Sequence, residues 1–290
     1  MNGCNLCPRM CGVDRAVRRG YCGSGTLPKV ARAAKHHWEE PCISGREGSG
    51  TVFFSGCTLG CVFCQNREIS RGGVGKEVST EELADIFNRL ERQGVHNLNL
   101  VTPTHFTPQI LQALDLAKPA IPVVMNCGGY ERVETLHQWE GRVQVYLPDL
   151  KYISPELSAK YSAAPDYFAV ASKAILEMHR QQPQLVWEGD LLKQGLIIRH
   201  LVLPGGMKDS LAVLDFLDQN LPKDSFLLSL MSQYTPTEAC RNYPEINRRV
   251  TTYEYRKVAD RAAELGFSGF AQDRRSAKKE YTPPFDLEGV

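Results

Sequence analysis

Thr51-Val-Phe-Phe-Ser-Gly-Cys57-Thr-Leu-Gly-Cys61-Val-Phe-Cys64 is an apolar run that breaks at a glycine into a loop carrying three thiols on a C-x₃-C-x₂-C spacing. The run reads as a buried strand, and a tight loop after it presents all three sulfurs to one point. Three close thiolates suit a soft metal centre, most naturally an iron–sulfur cluster. No fourth cysteine follows at cluster spacing. A cubane held by three cysteines keeps one iron open for a substrate or cofactor, so this loop is a candidate for chemistry as well as for support.

Downstream of this strand the chain alternates. Apolar runs bounded by turn residues occupy 51–55, 97–102, 121–126, 144–149, 195–203 and 225–231, with a short seventh at 267–271. Helical patterns lie between them at 80–93, 107–117, 131–138, 155–163 with 165–180, 208–219 and 251–265. Thr80 is the expected N-cap of the first helix. Strands alternating with helices at this spacing predict right-handed βαβ units and a parallel sheet. No Rossmann glycine fingerprint follows the first strand, so the expected fold is α/β, a partial TIM-like (β/α)₆ barrel. The expected organisation is a cysteine-rich segment and connector at 1–49, the barrel core at 50–272, and an irregular tail at 273–290.

The strand ends of such a barrel face the active site. Besides the cysteine loop, those ends carry Thr102-Pro-Thr104-His105, Asn126-Cys127-Gly-Gly, Asp149-Leu-Lys151, Arg199-His200 and Met231-Ser-Gln233. Asp149 and Lys151 are two apart and project to the same side of an extended chain. They read either as catalytic groups or as a structural ion pair. Arg199 inside an apolar strand demands an anion. His200 faces the opposite side and reads as a packing histidine. Ligand contact and loop hydrogen bonding are both open for His105. Cys127 and Cys240 read as small buried residues.

The chain has 290 residues, a formal net charge of +1, and 42% hydrophobic and 23% charged residues, which fit a globular protein with a sizeable core and argue against a general nucleic-acid surface. Apolar runs are too short to span a membrane, and the first residues do not resemble a secretory signal. A cytoplasmic location is expected, and metal binding is favoured over disulfides for the ten cysteines. Eight of these fall in the first 64 residues. Cys4-x₂-Cys7-x₃-Cys11-x₁₀-Cys22 fits either a closed zinc site or an auxiliary iron–sulfur cluster. Residues 26–50 read as a connector, containing His36-His37-Trp-Glu-Glu-Pro-Cys42. The two histidines there are read as surface or packing residues, with the role of Cys42 open.

The three-cysteine motif with Phe63 before its last member resembles the cluster signature of the radical S-adenosylmethionine enzymes. More narrowly, residues 50–235 resemble the pyruvate formate-lyase activating enzyme group, and the N-terminal cysteine segment resembles an activating-enzyme-like branch of it. The resemblance implies a [4Fe–4S] cluster on Cys57, Cys61 and Cys64, with S-adenosylmethionine on its open iron. It implies reductive cleavage to methionine and a 5′-deoxyadenosyl radical, which takes hydrogen from a substrate, here a glycine of a partner protein. It places Phe63 near the adenine, Thr102 and Thr104 where the methionine amino group is received, and Asn126 at the ribose. Lys151 falls on the methionine carboxylate, Asp149 near the radical site, Arg199 on a basic position and Gln233 on a ribose- or adenine-contacting position. A flavodoxin- or ferredoxin-type electron donor follows from the need for a low-potential electron. Other readings are the same chemistry on a small molecule or peptide, and a non-catalytic zinc or cysteine-rich binding protein.

Overall fold

Parallel strands need a crossover between them, and a helix with one apolar face supplies it while covering the sheet. A computed structural model, describing residues 3–271 and 282–290, has this arrangement. The strands are β1 (Lys29–His36), β2 (Ser49–Phe54), β3 (Lys76–Glu77), β4 (Leu98–Val101), β5 (Val123–Cys127), β6 (Val145–Pro148), β7 (Val186–Glu188), β8 (Leu191–Leu201), β9 (Leu227–Met231) and β10 (Gly269–Ala271). The helices are α1 (Pro41–Ser44), α2 (Arg67–Ser70), α3 (Thr80–Arg92), α4 (Thr107–Ala117), α5 (Val133–Leu136), α6 (Pro155–Ser162), α7 (Tyr167–Gln181), α8 (Met207–Asn220) and α9 (Thr252–Glu264).

The sheet runs β10-β9-β8-β6-β5-β4-β2-β1-β3, with β7 folded back on β8. Strands β2, β4, β5, β6, β8 and β9 are parallel neighbours in turn, and β10 continues the parallel set. This is an α/β fold with six βα strands in a TIM-like barrel that does not close among the described residues. The core lies between the sheet and the helices. In α3, Leu83, Ile86, Phe87 and Leu90 follow helical spacing and are all buried.

The connector expected at 26–50 is a correction. It holds β1, which pairs antiparallel to β2, and the short α1. The Lys-Val-Ala-Arg-Ala-Ala-Lys-His sequence of β1 is poor in β-branched residues, and a register shift between Val30 and Arg32 breaks its alternation, so no period-two signal survives. The β7–β8 hairpin is another addition, turned at Gly189 with φ +59°. The N-cap of α3 is Ser79 rather than Thr80, with Glu82 completing a capping box. The helix expected at 131–138 shrinks to α5 followed by a 3₁₀ turn over His137–Trp139. Without a side-chain cap at Arg132 its start is poorly defined.

The basic run from Arg274 falls on residues outside those described. Residues 282–290, the described part of the expected tail, form neither helix nor strand. They lie along β1: the Leu287 amide donates to the Ala31 carbonyl at 3.2 Å, and the Ala33 amide donates to Glu288 at 2.9 Å. Arg32 pairs with Asp286 at 2.8 Å, and Phe285 meets Phe53 edge-on with centroids 5.5 Å apart.

Candidate active site

Strand β2 delivers the chain to Gly56, where φ is +91° and a Cβ would lie 2.6 Å from the Cys22 carbonyl. Only glycine fits there, and the turn throws the cysteine loop over the barrel mouth. Two arginines clasp the loop. Arg9 Nε donates to the Thr58 carbonyl at 2.9 Å, and Arg71 donates to the Leu59 carbonyl and, at 3.2 Å, to the Tyr21 carbonyl. Each sulfur receives a hydrogen bond: Cys57 from the Leu59 amide at 3.4 Å, Cys61 from the Ser162 hydroxyl at 2.9 Å, and Cys64 from the Ser70 hydroxyl at 3.5 Å. Burial first, then the neighbouring Cys61 and Cys64 charges, push the Cys57 thiol up to about 12. A donor to every sulfur, with mutual repulsion among the thiolates, fits a cationic metal centre such as an iron–sulfur cluster.

A cleft of about 230 Å³ opens beside the loop. Cys61, Cys64, Phe63, Asn126, Asp149, Lys151, Arg199 and Gln233 all line it. Thr102 and Thr104 stand outside that lining. Thr102 ends its strand in the left-handed region at φ +58°, and Thr104 is buried on the 3₁₀ turn that follows. Phe63 packs on Tyr234 and Tyr152, with centroids 5.9 and 6.4 Å away. Gln233 turns its amide toward Met231 Sδ at 3.7 Å, while its carbonyl accepts from Gln65 at 3.4 Å.

Charge in the cleft is organised around Arg199. Its Nε donates to Asp149 Oδ1 at 2.9 Å, one terminal nitrogen donates to Asn126 Oδ1 at 2.6 Å, and the other lies 3.6 Å from Glu39 Oε2. Lys151 Nζ meets the second Asp149 oxygen at 2.5 Å. Burial works to raise the Asp149 carboxyl, but Arg199 and Lys151 overcome it and hold its pKa below the ordinary value. The alternatives for Asp149 and Lys151 thus coincide: they form an ion pair and also line the cleft. Backbone packing fixes both. The Tyr167 hydroxyl accepts from the Lys151 amide at 3.0 Å, and a Cβ at Gly129 would lie 2.1 Å from the Asp149 carbonyl oxygen.

Glu39 escaped the sequence reading. It enters from the segment between β1 and α1, accepts from Asn99 Nδ2 at 2.9 Å and faces the Asn126 amide at 3.4 Å. Burial pushes its carboxyl up, with Arg199 and Asn99 pulling back. An acidic pair before Pro41, inside a supposed linker, was the available signal.

The outlying candidates sort by burial. His200 is buried, with Nδ1 on the Leu150 carbonyl at 2.6 Å and Nε2 on Ser210 at 2.9 Å, a packing role as expected. His105 Nε2 sits 2.8 Å from the Ser55 carbonyl, behind the cysteine loop. Cys42 packs with Ile43, Val124 and Leu147 in the apolar core, away from both cysteine clusters. Cys127 and Cys240 are buried small residues. His36 is buried against Phe53, whereas His37 is exposed.

In the N-terminal segment the Cys4 amide donates to Val13 and the Gly12 amide returns to Cys4, at 2.9 and 3.0 Å, forming a small knuckle. A Cβ on Gly20 would lie 3.2 Å from Cys11 Sγ and 3.7 Å from Cys22 Sγ. The Cys7 thiol is pushed up to about 12, by burial first and then by Glu131, Cys22 and Cys4. The four thiols neighbour one another pairwise, and their donor chemistry fits zinc or a cluster equally. Among the described residues no three His, Cys, Asp or Glu side chains are closed into metal-ligand geometry.

Residues 51–183 match the model of the Radical SAM superfamily. The chain is 32% identical over 269 residues to Uncharacterized protein MJ0674 of Methanocaldococcus jannaschii, covering 89% of this chain and 74% of that one. Among solved structures it resembles SuiB of Streptococcus suis bound to S-adenosylmethionine, at 14% identity and a TM-score of 0.50, over 77% of this chain and 50% of that one. A radical SAM methyltransferase from Sphaerobacter thermophilus aligns at 14% identity and a TM-score of 0.48, over 77% and 65% of the two chains. The chain spans about half the length of SuiB, and at such identity the likeness is one of fold.

Proposed function

Residues 51–183 carry a Radical SAM superfamily domain, and on that premise we propose that the chain cleaves S-adenosylmethionine reductively at the cleft beside the loop of Cys57, Cys61 and Cys64. The observation that carries this reading is the three-thiol loop, with a hydrogen-bond donor on every sulfur, opening directly on a cleft lined by Lys151, Arg199, Asp149 and Asn126. Cys57, Cys61 and Cys64 would hold a [4Fe–4S] cluster, which when reduced would supply the one electron needed to cleave S-adenosylmethionine to methionine and a 5′-deoxyadenosyl radical.

The chain's own part is to bind and orient. Lys151 is held cationic beside Asp149 and takes a carboxylate. Asn126 offers an amide to ribose hydroxyls, and Phe63 offers an apolar face for the adenine, with Gln233 at the rim. Arg199 fixes the orientation of Asp149 and Asn126 from below. Thr102 and Thr104 fall outside the lining of the cleft, although Val101 before them is part of it, and the ligand role for these two threonines rests on the resemblance alone. The N-terminal thiols hold a zinc ion or a second cluster that supports the loop. For the hydrogen donor the reading is a glycine of a partner polypeptide, which rests on the resemblance to the activating enzymes. A flavodoxin- or ferredoxin-type protein supplies the electron.

The test is anaerobic reconstitution followed by dithionite and S-adenosylmethionine. A broad visible absorbance band and 5′-deoxyadenosine are expected, with both lost on replacing any one of Cys57, Cys61 and Cys64 by Ala. A reconstituted, folded protein that gives neither is a cysteine-rich binding protein instead. Deuterium recovered in 5′-deoxyadenosine from a labelled glycine polypeptide supports the activating role, and label coming only from small molecules removes it.

A further inference from the structure

Of the three hydrogen bonds to sulfur in the cysteine loop, the one on Cys61 is the shortest. The Ser162 hydroxyl stands 2.9 Å from Cys61 Sγ, against 3.4 Å for the Leu59 amide on Cys57 and 3.5 Å for Ser70 on Cys64. Ser162 is fully buried and is the last residue of α6, far from the loop in sequence. A serine hydroxyl has one proton to give. Ser162 gives it to the sulfur, so in the 2.9 Å contact with Tyr152, also fully buried, the tyrosine is the donor. Two hydroxyls in series thus point at one sulfur, and in a buried site each bond polarises the next.

The N-terminal cysteine segment holds this donor in place. Ala163 ends α6 in the left-handed conformation at φ +50°. Arg9, between Cys7 and Cys11, donates to the Ala163 carbonyl at 2.6 Å, to the Ser162 carbonyl at 3.4 Å and to the Thr58 carbonyl at 2.9 Å. Its guanidinium lies over the rings of Tyr21 and Tyr130, 4.1 and 5.2 Å from their centroids. A cation at a helix C-terminus meets carbonyls that lack helical partners and is favoured by the helix dipole. From the other side, Val62, next to Cys61, donates its amide to the Tyr161 carbonyl at 2.8 Å. The sulfur and its donor are therefore tied together through the backbone as well.

A hydrogen bond to a cluster sulfur favours the reduced state, which carries one more negative charge, and so raises the reduction potential. We propose that Ser162 sets the potential of a cluster held by Cys57, Cys61 and Cys64, and that Arg9 is the positioning residue through which the N-terminal segment aims Ser162 at Cys61. The inference deepens the reading above and rests on it. The N-terminal thiols then act on the loop through geometry, because Cys7 and Cys11 flank the arginine that fixes the donor. No electron has to pass between the two cysteine segments.

The test is a redox titration of the anaerobically reconstituted full chain with dithionite, following the reduced-cluster signal by electron paramagnetic resonance. The spectrum of Cys57→Ala, titrated in the same way, is subtracted to remove any signal from the N-terminal thiols. Ser162→Ala with its full content of iron and sulfide should show about a tenfold lower ratio of reduced to oxidised cluster at a fixed potential. For one electron this is a midpoint about 59 mV lower. Arg9→Gln should move the midpoint the same way, and adding it to Ser162→Ala should move it no further. An unmoved midpoint in Ser162→Ala overturns the proposal, and additive shifts remove Arg9 from it. If Ser162→Ala assembles no cluster, Tyr152→Phe decides. That variant keeps Ser162, removes the donor behind it, and should also lower the midpoint; an unmoved value overturns the proposal. 5′-Deoxyadenosine formation is measured on the same samples. Its absence from wild-type protein, with the Ser162-dependent potential present, removes the radical reading and leaves this inference. Its presence with an unmoved midpoint removes this inference alone.

Discussion

Arg199 brings a guanidinium onto an apolar strand and is met there by Asp149, Asn126 and Glu39. Removing one member of a buried ionic set leaves the others uncompensated, which costs about 3–5 kcal/mol. Arg199→Met should therefore lower stability by about that amount in urea denaturation. Arg199→Lys keeps the charge but loses the fork, and should raise the Kd for S-adenosylmethionine in calorimetry while costing less stability. His200 gives a pH signature. Burial pulls its pKa from 6.5 down to about 4, with the Leu150 carbonyl and Asp149 pulling back and Lys151 adding to the fall. The unfolded chain binds a proton near 6.5 and the folded chain only near 4, so this stability is complete above 6.5 and lost as the pH falls toward 4. The loss amounts to about 3 kcal/mol. Denaturation midpoints measured between these pH values should fall less steeply in His200→Asn than in the wild-type protein. These residues were legible in the sequence because a charged residue in an apolar strand stands out. Glu39 was not, because an acidic residue in a linker looks like any solvated residue until β1 folds it inward.

Among the elements, α3 is the most completely specified. Its capping box joins Ser79 and Glu82 in both directions, at 3.1 Å and 2.7 Å. Ser79→Ala should cost about 1 kcal/mol, read as a lower urea midpoint at unchanged m-value. The strap at 282–290 is the opposite case. It has no periodicity, yet it hydrogen-bonds to β1, and its Thr282 and Pro283 reach the cofactor cleft. Deleting residues 282–290 should lower the thermal midpoint and weaken S-adenosylmethionine binding together. Unchanged binding would show the strap to be a passive edge cover. The six parallel strands were legible because burial on both faces makes continuous apolar runs. Strand β1 was not, since an antiparallel strand of alanine and basic residues takes its stability from pairing with β2 rather than from its own propensity.

Across the whole molecule, the N-terminal segment is built into the barrel. The Cys57 amide donates to the Cys22 carbonyl at 3.3 Å, Thr135 Oγ1 to Leu6 at 2.8 Å, and Arg132 to Asn5 at 2.6 Å. The two cysteine clusters are thus joined through one backbone hydrogen bond. Cys7→Ser should reduce iron or zinc content by the occupancy of one site and lower the thermal midpoint, because the segment has little core of its own. Metal and sulfide analysis of anaerobically purified protein identifies which metal is lost. The sequence by itself determined the parallel α/β architecture, the three-thiol loop and the set of strand-end residues beside it. Those follow from periodicity and spacing, which are local properties of the chain. Only the tertiary structure decided that Arg199 binds Asp149 and Asn126 together, that Glu39 and Glu40 enter from a segment read as a linker, and that Thr102 and Thr104 stand outside the cleft. Each of these depends on contacts between residues far apart in the chain, and on how the barrel and its N-terminal arm bury charge.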